Sequence, residues 1–310
     1  MKLKKPKFWD KSKPNIIAYL LNPFALLIQL IISILPRNKN KIKNIKTICV
    51  GNIYIGGTGK TSLALKLNKL LNEKRLKTCL IKKDYVNQKD EQNLLSNNGN
   101  LILNKDRSKA LEEAQKNNYD VAIFDDGLQD RSINYEIKLI CFNDLNWIGN
   151  GLTLPAGPLR ESFSNLRNYK DIVINGNLEN LDKIKSQLQK INPNLNIHLG
   201  KYIPININDF DLNKKYLVFS GIGNHLSFIH MMKKNGFDII HHIEYPDHYE
   251  YNKNDLEEII SIAEKNECEI ITTEKDILRI DKDIYQNIKY IKSELEILNE
   301  EILIKAVIGK

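Results

Sequence analysis

Two spacings of apolar residues alternate along most of the chain. "KTICVGNI" (46–53) is a short apolar run that ends at glycine and reads as a buried strand. Residues 60–73 follow with Leu63, Leu67, Leu70 and Leu71 at helical spacing. The same reading predicts strands over 77–83, 101–105, 119–127, 136–144 and 170–176, and a helix over 107–117. The polar, Asn-rich stretch 84–100 reads as a loop. A second alternating set begins near 196, with strand, turn and helix over 214–235, then a strand and loop over 237–251. A helix over about 253–266 and a strand over 268–276 complete it. Strands separated by helices imply a mostly parallel sheet covered on both faces.

The predicted fold class is therefore α/β. It has a P-loop-type, mostly parallel sheet core with helices on both faces, a smaller α/β second domain, and an N-terminal membrane-associated helix. Pro193 and Pro204 mark 191–213 as the boundary segment. The predicted domains are a basic leader with its helix (1–40), a nucleotide-binding core (41–195) and a smaller domain closing the cleft (196–310).

The first forty residues break the alternation. Asn15 to Leu35 carry no charge, and basic residues crowd both sides. A signal peptide would want small residues at a cleavage site, and "ISILPR" offers none. A spanning helix needs about 20 apolar residues, which this stretch barely supplies, and Pro23 interrupts it. Asn22, Gln29 and Ser33 fall on one narrow stripe. The wide apolar face that remains suits an interfacial helix, buried among acyl chains while flanking lysines meet anionic headgroups. Packing on the protein's own core is the alternative.

Charge sharpens this picture. The chain of 310 residues carries a net +8. Residues 1–46 hold eleven Lys/Arg against one acid, Asp10, a net of +10 that leaves −2 for the rest. A near-neutral body with a basic leader is not a nucleic-acid groove. The four cysteines are scattered without CxxC spacing, as in a reducing cytosol with no structural zinc.

Three segments carry candidate chemistry. In "VGNIYIGGTGKTSLAL" (50–65) a strand runs into glycines and then a helix. Backbone N–H groups at a helix mouth bind phosphate, and Gly56, Gly57, Thr58 and Gly59 form the turn. Lys60 reaches the β- and γ-phosphates, and the Thr61 hydroxyl suits Mg²⁺. The strict pattern wants glycine where Tyr54 stands, and the doubled glycine does the tight turning instead. "IFDDGLQD" ends a strand with Asp125 and Asp126, either of which suits Mg²⁺; a solvated Asp-Asp-Gly turn is the plain alternative. "LTLPAGPLRES" (152–162) is a rigid Pro/Gly loop presenting Arg160 and Glu161. Arg160 would offset phosphate charge and Glu161 would join the metal shell, unless the pair merely starts a helix. His241, His242, Glu244 and His248 invite a zinc reading, but adjacent histidines on a strand point to opposite faces.

These segments, with "FSGIGNHLSF", "YPDHYEY" and "TTEKD" in the same order, resemble the tetraacyldisaccharide 4'-kinase family of lipid A synthesis. The resemblance covers most of the chain. It implies transfer of the ATP γ-phosphate to the 4'-hydroxyl of a tetraacylated glucosamine disaccharide 1-phosphate. The reaction lies at the cytosolic face of the bacterial inner membrane, with the N-terminal helix as attachment. The implied partners are the membrane-embedded lipid A precursor and inner-membrane lipids, with no nucleic acid and no obligate protein partner.

The resemblance assigns the acceptor's proton to an Asp in a "GDE-Pro" motif, supported by a His in a "PDHH"-like loop. The matching residues here are Asp90 in "QKDEQ" and His248 in "YPDHYEY". Lys89 and Gln92 depart from the first motif, and "KKDY" (82–85) stands where the family has "SRGY". Gln129 is placed near the metal among the nucleotide-binding residues. Thr272, Lys275 and Asp276 are placed to meet nucleotide or close the cleft. The rival reading is a switch ATPase or GTPase at the membrane, with no acceptor and no need for Arg160 and Glu161. A non-catalytic scaffold would not need Lys60, Thr61 and the carboxylates around one cleft.

Overall fold

A computed structural model describes residues 5–36, 44–85, 88–281 and 285–309. Apolar runs in the first half form β1 (Lys46–Gly51), β2 (Thr78–Lys83), β3 (Leu101–Asn104), β4 (Val121–Asp125), β5 (Ile137–Asn143) and β6 (Asp171–Asn175). They join β7 (Asn196–Pro204) and β12 (Ser293–Ile297) in one sheet of order β12-β7-β6-β5-β1-β4-β2-β3. All pairs are parallel except β12 against β7.

Alternate residues of these strands feed two cores, as the period of two requires. Cys49, Ile81, Phe124 and Phe142 pack with α4 (Arg107–Lys116) and α5 (Leu181–Ile191). Ile48, Val50, Leu80 and Ile123 pack with α2 (Lys60–Glu73), α3 (Lys89–Asn98) and α9 (Glu300–Ile308).

A second sheet has the order β11-β10-β8-β9, all parallel. Its strands are β8 (Lys215–Ser220), β9 (Asp238–Glu244), β10 (Glu269–Thr273) and β11 (Ile288–Ile291). Met231 and Met232 of α6 (His225–Lys234) pack on one face, and Leu256, Ile259 and Ala263 of α7 (Lys253–Lys265) on the other. The short α8 (Glu274–Ile277) follows β10 directly.

Three expectations change. The stretch 84–100 is not all loop, because Leu95 is buried against the core and anchors α3; the many asparagines mask that apolar contact. Assigning everything after 195 to the second domain is also corrected. Segments 196–204 and 293–308 return to the first sheet, since Leu295, Leu303 and Val307 complete its core. Nor does Pro23 interrupt the leader helix, α1 (Ile16–Ile34), which runs through it with the Pro23 ring exposed.

That helix is inverted in polarity relative to a soluble one. Ala18 and Ala25 are buried against the body, and Gln29 donates to the Arg160 carbonyl at 3.1 Å. Leu20, Leu27, Leu30 and Ile31 are more than half exposed. The Arg131 guanidinium caps the carbonyls of Ile32 and Leu35 at its end.

Candidate active site

The central strand β1 lies between β4 and β5. In such sheets ligands gather beyond the carboxyl ends of the strands. The turn after β1 carries Gly56 to Gly59 into α2, so the first amides of α2 point outward. Gly59 caps the helix at φ 80°, and a Cβ there would lie 2.5 Å from the Tyr202 hydroxyl and 2.7 Å from Asn175 Nδ2. Only glycine suits both the backbone and the space. Asn175 Nδ2 donates to the Thr58 carbonyl at 2.7 Å, and Asn52 Nδ2 donates to Thr58 Oγ1 at 2.8 Å. These two amides shape the loop without touching its outward N–H groups.

Tyr54, which breaks the strict glycine pattern, points away from the phosphate side. It is 1% exposed, and its hydroxyl donates to Asp10 Oδ1 at 2.6 Å while Lys5 Nζ donates to it at 2.8 Å. Trp9 Nε1 donates to the Pro155 carbonyl, and Asn150 N donates to the Trp9 carbonyl. The leader is thereby tied to the phosphate loop and to the Arg160 loop.

Asp125 ends β4 beside this turn and Asp126 follows it, and the two play unlike parts. Asp125 is fully buried. Its Oδ2 accepts from Thr61 Oγ1 at 3.1 Å and Lys82 Nζ at 2.8 Å, and its Oδ1 has no partner. Asp126, at φ 56°, turns toward Lys60 Nζ at 3.9 Å and Arg160 Nη1 at 2.8 Å. Burial works against its charge, but Lys60 and Arg160 bring its carboxyl down to about 2.

Glu161 does not join the metal-facing set. Its Oε1 accepts from Gln129 Nε2 at 3.2 Å, and its Oε2 accepts from Asn165 and Tyr169. Gln129 is spent likewise, donating to the Asn52 carbonyl at 3.0 Å and accepting from Arg160 Nη1 at 3.0 Å. Both act behind Arg160, fixing its direction. The sequence shows that Glu161 follows Arg160, not which way either side chain turns.

The second sheet brings its own carboxyl ends to the same place. Gly57, in the phosphate loop, approaches Gly223, just past β8, so closely that a Cβ on Gly223 would lie 2.4 Å from Gly57 N. Asn143 Nδ2, at the end of β5, donates to Ser227 Oγ at 3.2 Å. Asp90, in the first turn of α3, meets His248 from the loop after β9 at 3.1 Å. An ionised carboxylate only accepts, so Nδ1 carries the proton. Burial raises the Asp90 pKa, but the His248 hydrogen bond and the Arg279 guanidinium outweigh it and hold Asp90 well below the usual range. His248 responds in kind: burial lowers its pKa, and Asp90 and Asp247 raise it above the ordinary value.

Beside Asp90, Glu91 accepts from Lys82 at 2.7 Å and from Lys275 of α8 at 3.0 Å. Asp276 receives Tyr251, Thr273 and the Gly221 amide, so it organises its own loop rather than meeting nucleotide. Thr272 likewise turns its hydroxyl to the Phe219 carbonyl, 2.9 Å away within the second sheet. His242 turns to His225 at 3.0 Å, away from His248.

One cavity lies between the two sheet edges. Gly56 to Thr61, Asp126, Arg160 and His248 line it, as do Glu91, Lys275 and Gly223. Asp90, Asp125, Gln129 and Glu161 sit behind that lining. Lys82 and Arg279 escape a reading of the sequence; a lysine inside an apolar strand and an arginine three residues after Asp276 were the available signals.

A family model described as tetraacyldisaccharide-1-P 4'-kinase matches residues 17–310. The tetraacyldisaccharide 4'-kinase of Pelagibacter ubique is 55% identical over 99% of this chain and 98% of its own length. That of Rickettsia canadensis is 35% identical over 100% and 98%. A crystal structure of LpxK from Aquifex aeolicus in complex with ATP superposes with a TM-score of 0.65 at 22% identity, covering 94% of this chain and 98% of that one, and shares the fold. With a family match from the leader helix to the C-terminus and a relative of more than half identity along nearly the whole length, this chain belongs to the tetraacyldisaccharide-1-P 4'-kinase family.

Proposed function

We propose that the chain transfers the γ-phosphate of ATP to the 4'-hydroxyl of a tetraacyldisaccharide 1-phosphate held in the cytosolic face of the inner membrane. The observation that carries this reading is the shared cavity, with phosphate-loop amides and Lys60 on one wall and His248, backed by Asp90, on the other. A switch ATPase has no use for a second wall bearing a proton acceptor.

In this reading the amides of 57–61 and Lys60 hold the β- and γ-phosphates, and Arg160 offsets charge on the transferred group. A divalent cation fits beside them. Asp125 Oδ1 is buried without a partner, the Thr61 hydroxyl donates to Oδ2 of the same carboxylate, and Asp126 follows in sequence as a further carboxylate. Thr61, Asp125 and Asp126 would hold Mg²⁺, which would supply positive charge to offset that of the phosphates.

The acceptor hydroxyl needs a base. Asp90 is the family's assignment, and a second reading rests on a specific observation. Both Asp90 oxygens are engaged by His248 and Arg279 behind the cavity, whereas His248 lines it. His248 then takes the proton and Asp90 orients it, as in other Asp-His pairs.

The exposed apolar face of α1 supports attachment to lipid. A substrate whose acyl chains stay in the bilayer requires the cavity at its surface, and Gln29 on the inner face of α1 touches the Arg160 loop. The test is transfer of radiolabel from ATP to the tetraacyldisaccharide 1-phosphate in detergent, with Lys60→Ala as control. Labelled lipid only with the unaltered chain supports the reading; hydrolysis to phosphate without labelled lipid favours the switch ATPase.

A further inference from the structure

Lys82 is 2% exposed, at the penultimate position of β2. Ile81 pairs with Phe124 in the parallel register, so the next step along both strands sets Lys82 beside Asp125. Its ammonium touches two carboxylates, Asp125 Oδ2 at 2.8 Å and Glu91 Oε2 at 2.7 Å. Oδ2 of Asp125 also receives the Thr61 hydroxyl, leaving Oδ1 alone without a partner. The other Glu91 oxygen meets Lys275 of α8, which follows β10 of the second sheet, at 3.0 Å. One ammonium thus joins the carboxylate at the phosphate loop to the contact between the two sheets.

Burying an ammonium is costly, and an apolar side chain would fill this strand position at less cost unless the charge is used. A carboxylate whose Oδ2 is already neutralised offers less negative potential to a divalent cation at Oδ1. In a cleft without nucleotide, Thr61, Asp125 and Asp126 alone would then hold such a cation weakly. The phosphates supply the missing negative charge.

We propose that Lys82 is a positioning residue, a resident cation that fixes Asp125 and Glu91 and makes divalent-cation binding depend on the nucleotide. The inference rests on the phosphoryl-transfer reading. Its consequence is that the cation enters with ATP rather than waiting in the cleft.

The test uses the full chain in detergent with Mn²⁺ as probe, its binding followed by electron paramagnetic resonance with and without a non-hydrolysable ATP analogue. The unaltered chain should bind Mn²⁺ weakly alone and tightly with the analogue. Lys82→Met should tighten Mn²⁺ binding in the absence of nucleotide by about tenfold. Lys82→Arg should keep the original dependence. A purely structural role would lower Tm in Lys82→Met and leave Mn²⁺ affinity unchanged, which overturns the proposal. If Lys82→Met does not fold, Lys82→Met/Glu91→Gln removes one charge of each sign and should show the same tightening; its absence there also overturns the proposal. An unaltered chain that binds neither the analogue nor Mn²⁺ defeats the phosphoryl-transfer reading itself. Binding of both that is indifferent to position 82 defeats only the inference.

Discussion

Nδ1 of His248 lies 3.1 Å from both carboxylate oxygens of Asp90, tying a loop of the second sheet to the first turn of α3. The pair is separated by 158 residues in sequence and lies at the edge of the cavity. Its polarity is fixed by Arg279, which holds the same carboxylate ionised and so keeps the Nδ1 proton on His248.

The His248 pKa is raised, so lowering the pH protonates its other nitrogen at a value above the ordinary 6.5 or so. Transfer rate should fall along an acidic limb centred there. His248→Gln should lower kcat by about a hundredfold and abolish the limb. If Asp90, held well below the usual carboxylate range, accepts the proton without His248, pH–rate profiles will be flat through neutrality.

The same pairing has a stability consequence of definite sign. A folded-state pKa above the unfolded one contributes stability that is complete below about 6.5 and lost as pH rises through the raised value. Urea midpoints of the unaltered chain should therefore fall further than those of His248→Gln between about pH 6 and pH 8.5. Parallel midpoints in the two proteins would show that the bridge adds nothing to folding.

Lys60 stands 3.9 Å from Asp126 and lines the phosphate side of the cavity. Lys60→Ala should lower kcat by about a hundredfold or more, because a fixed donor to the transferred phosphate is lost. Fluorescent nucleotide titration should show weaker binding as well. Retention of both values would place the phosphates elsewhere.

Gly223 and Gly57 touch backbone to backbone across the cleft. Gly223→Ala puts a Cβ 2.4 Å from Gly57 N, which the two units relieve only by moving apart. The variant should lose most of its transfer rate while its Tm changes by no more than about 2 °C, since neither core is disturbed. Full activity in Gly223→Ala would mean that transfer does not need this contact.

Leu27 and Ile31 lie on the outer face of α1, 55% and 53% exposed. Leu27→Glu/Ile31→Glu should reduce cosedimentation with anionic vesicles and slow phosphorylation of bilayer-held acceptor. Nucleotide affinity and Tm should stay near those of the unaltered chain, because the two side chains are turned away from the body. Undiminished vesicle binding would assign membrane contact to another surface.

The chain's own pattern determined the alternating elements, the phosphate loop and the inverted helix. Each depends on residues a few positions apart: apolar periodicity, glycines where a turn requires them, and an uncharged run between lysines. The limit shows at α3, where Asn-rich composition hides a helix whose Leu94 and Leu95 are buried, Leu95 within the core. Only the tertiary structure decided that β7, β12 and α9 return to the first sheet. It also turned Glu161 and Gln129 behind Arg160, drew Lys82, Glu91 and Arg279 into the site, and set Lys275 against Glu91. Asp90 and Arg279 are 189 positions apart and Glu91 and Lys275 are 184 apart. No local periodicity spans such distances. These charges find one another because burial is unfavourable until each has a partner, and the folded sheets alone bring the partners within reach.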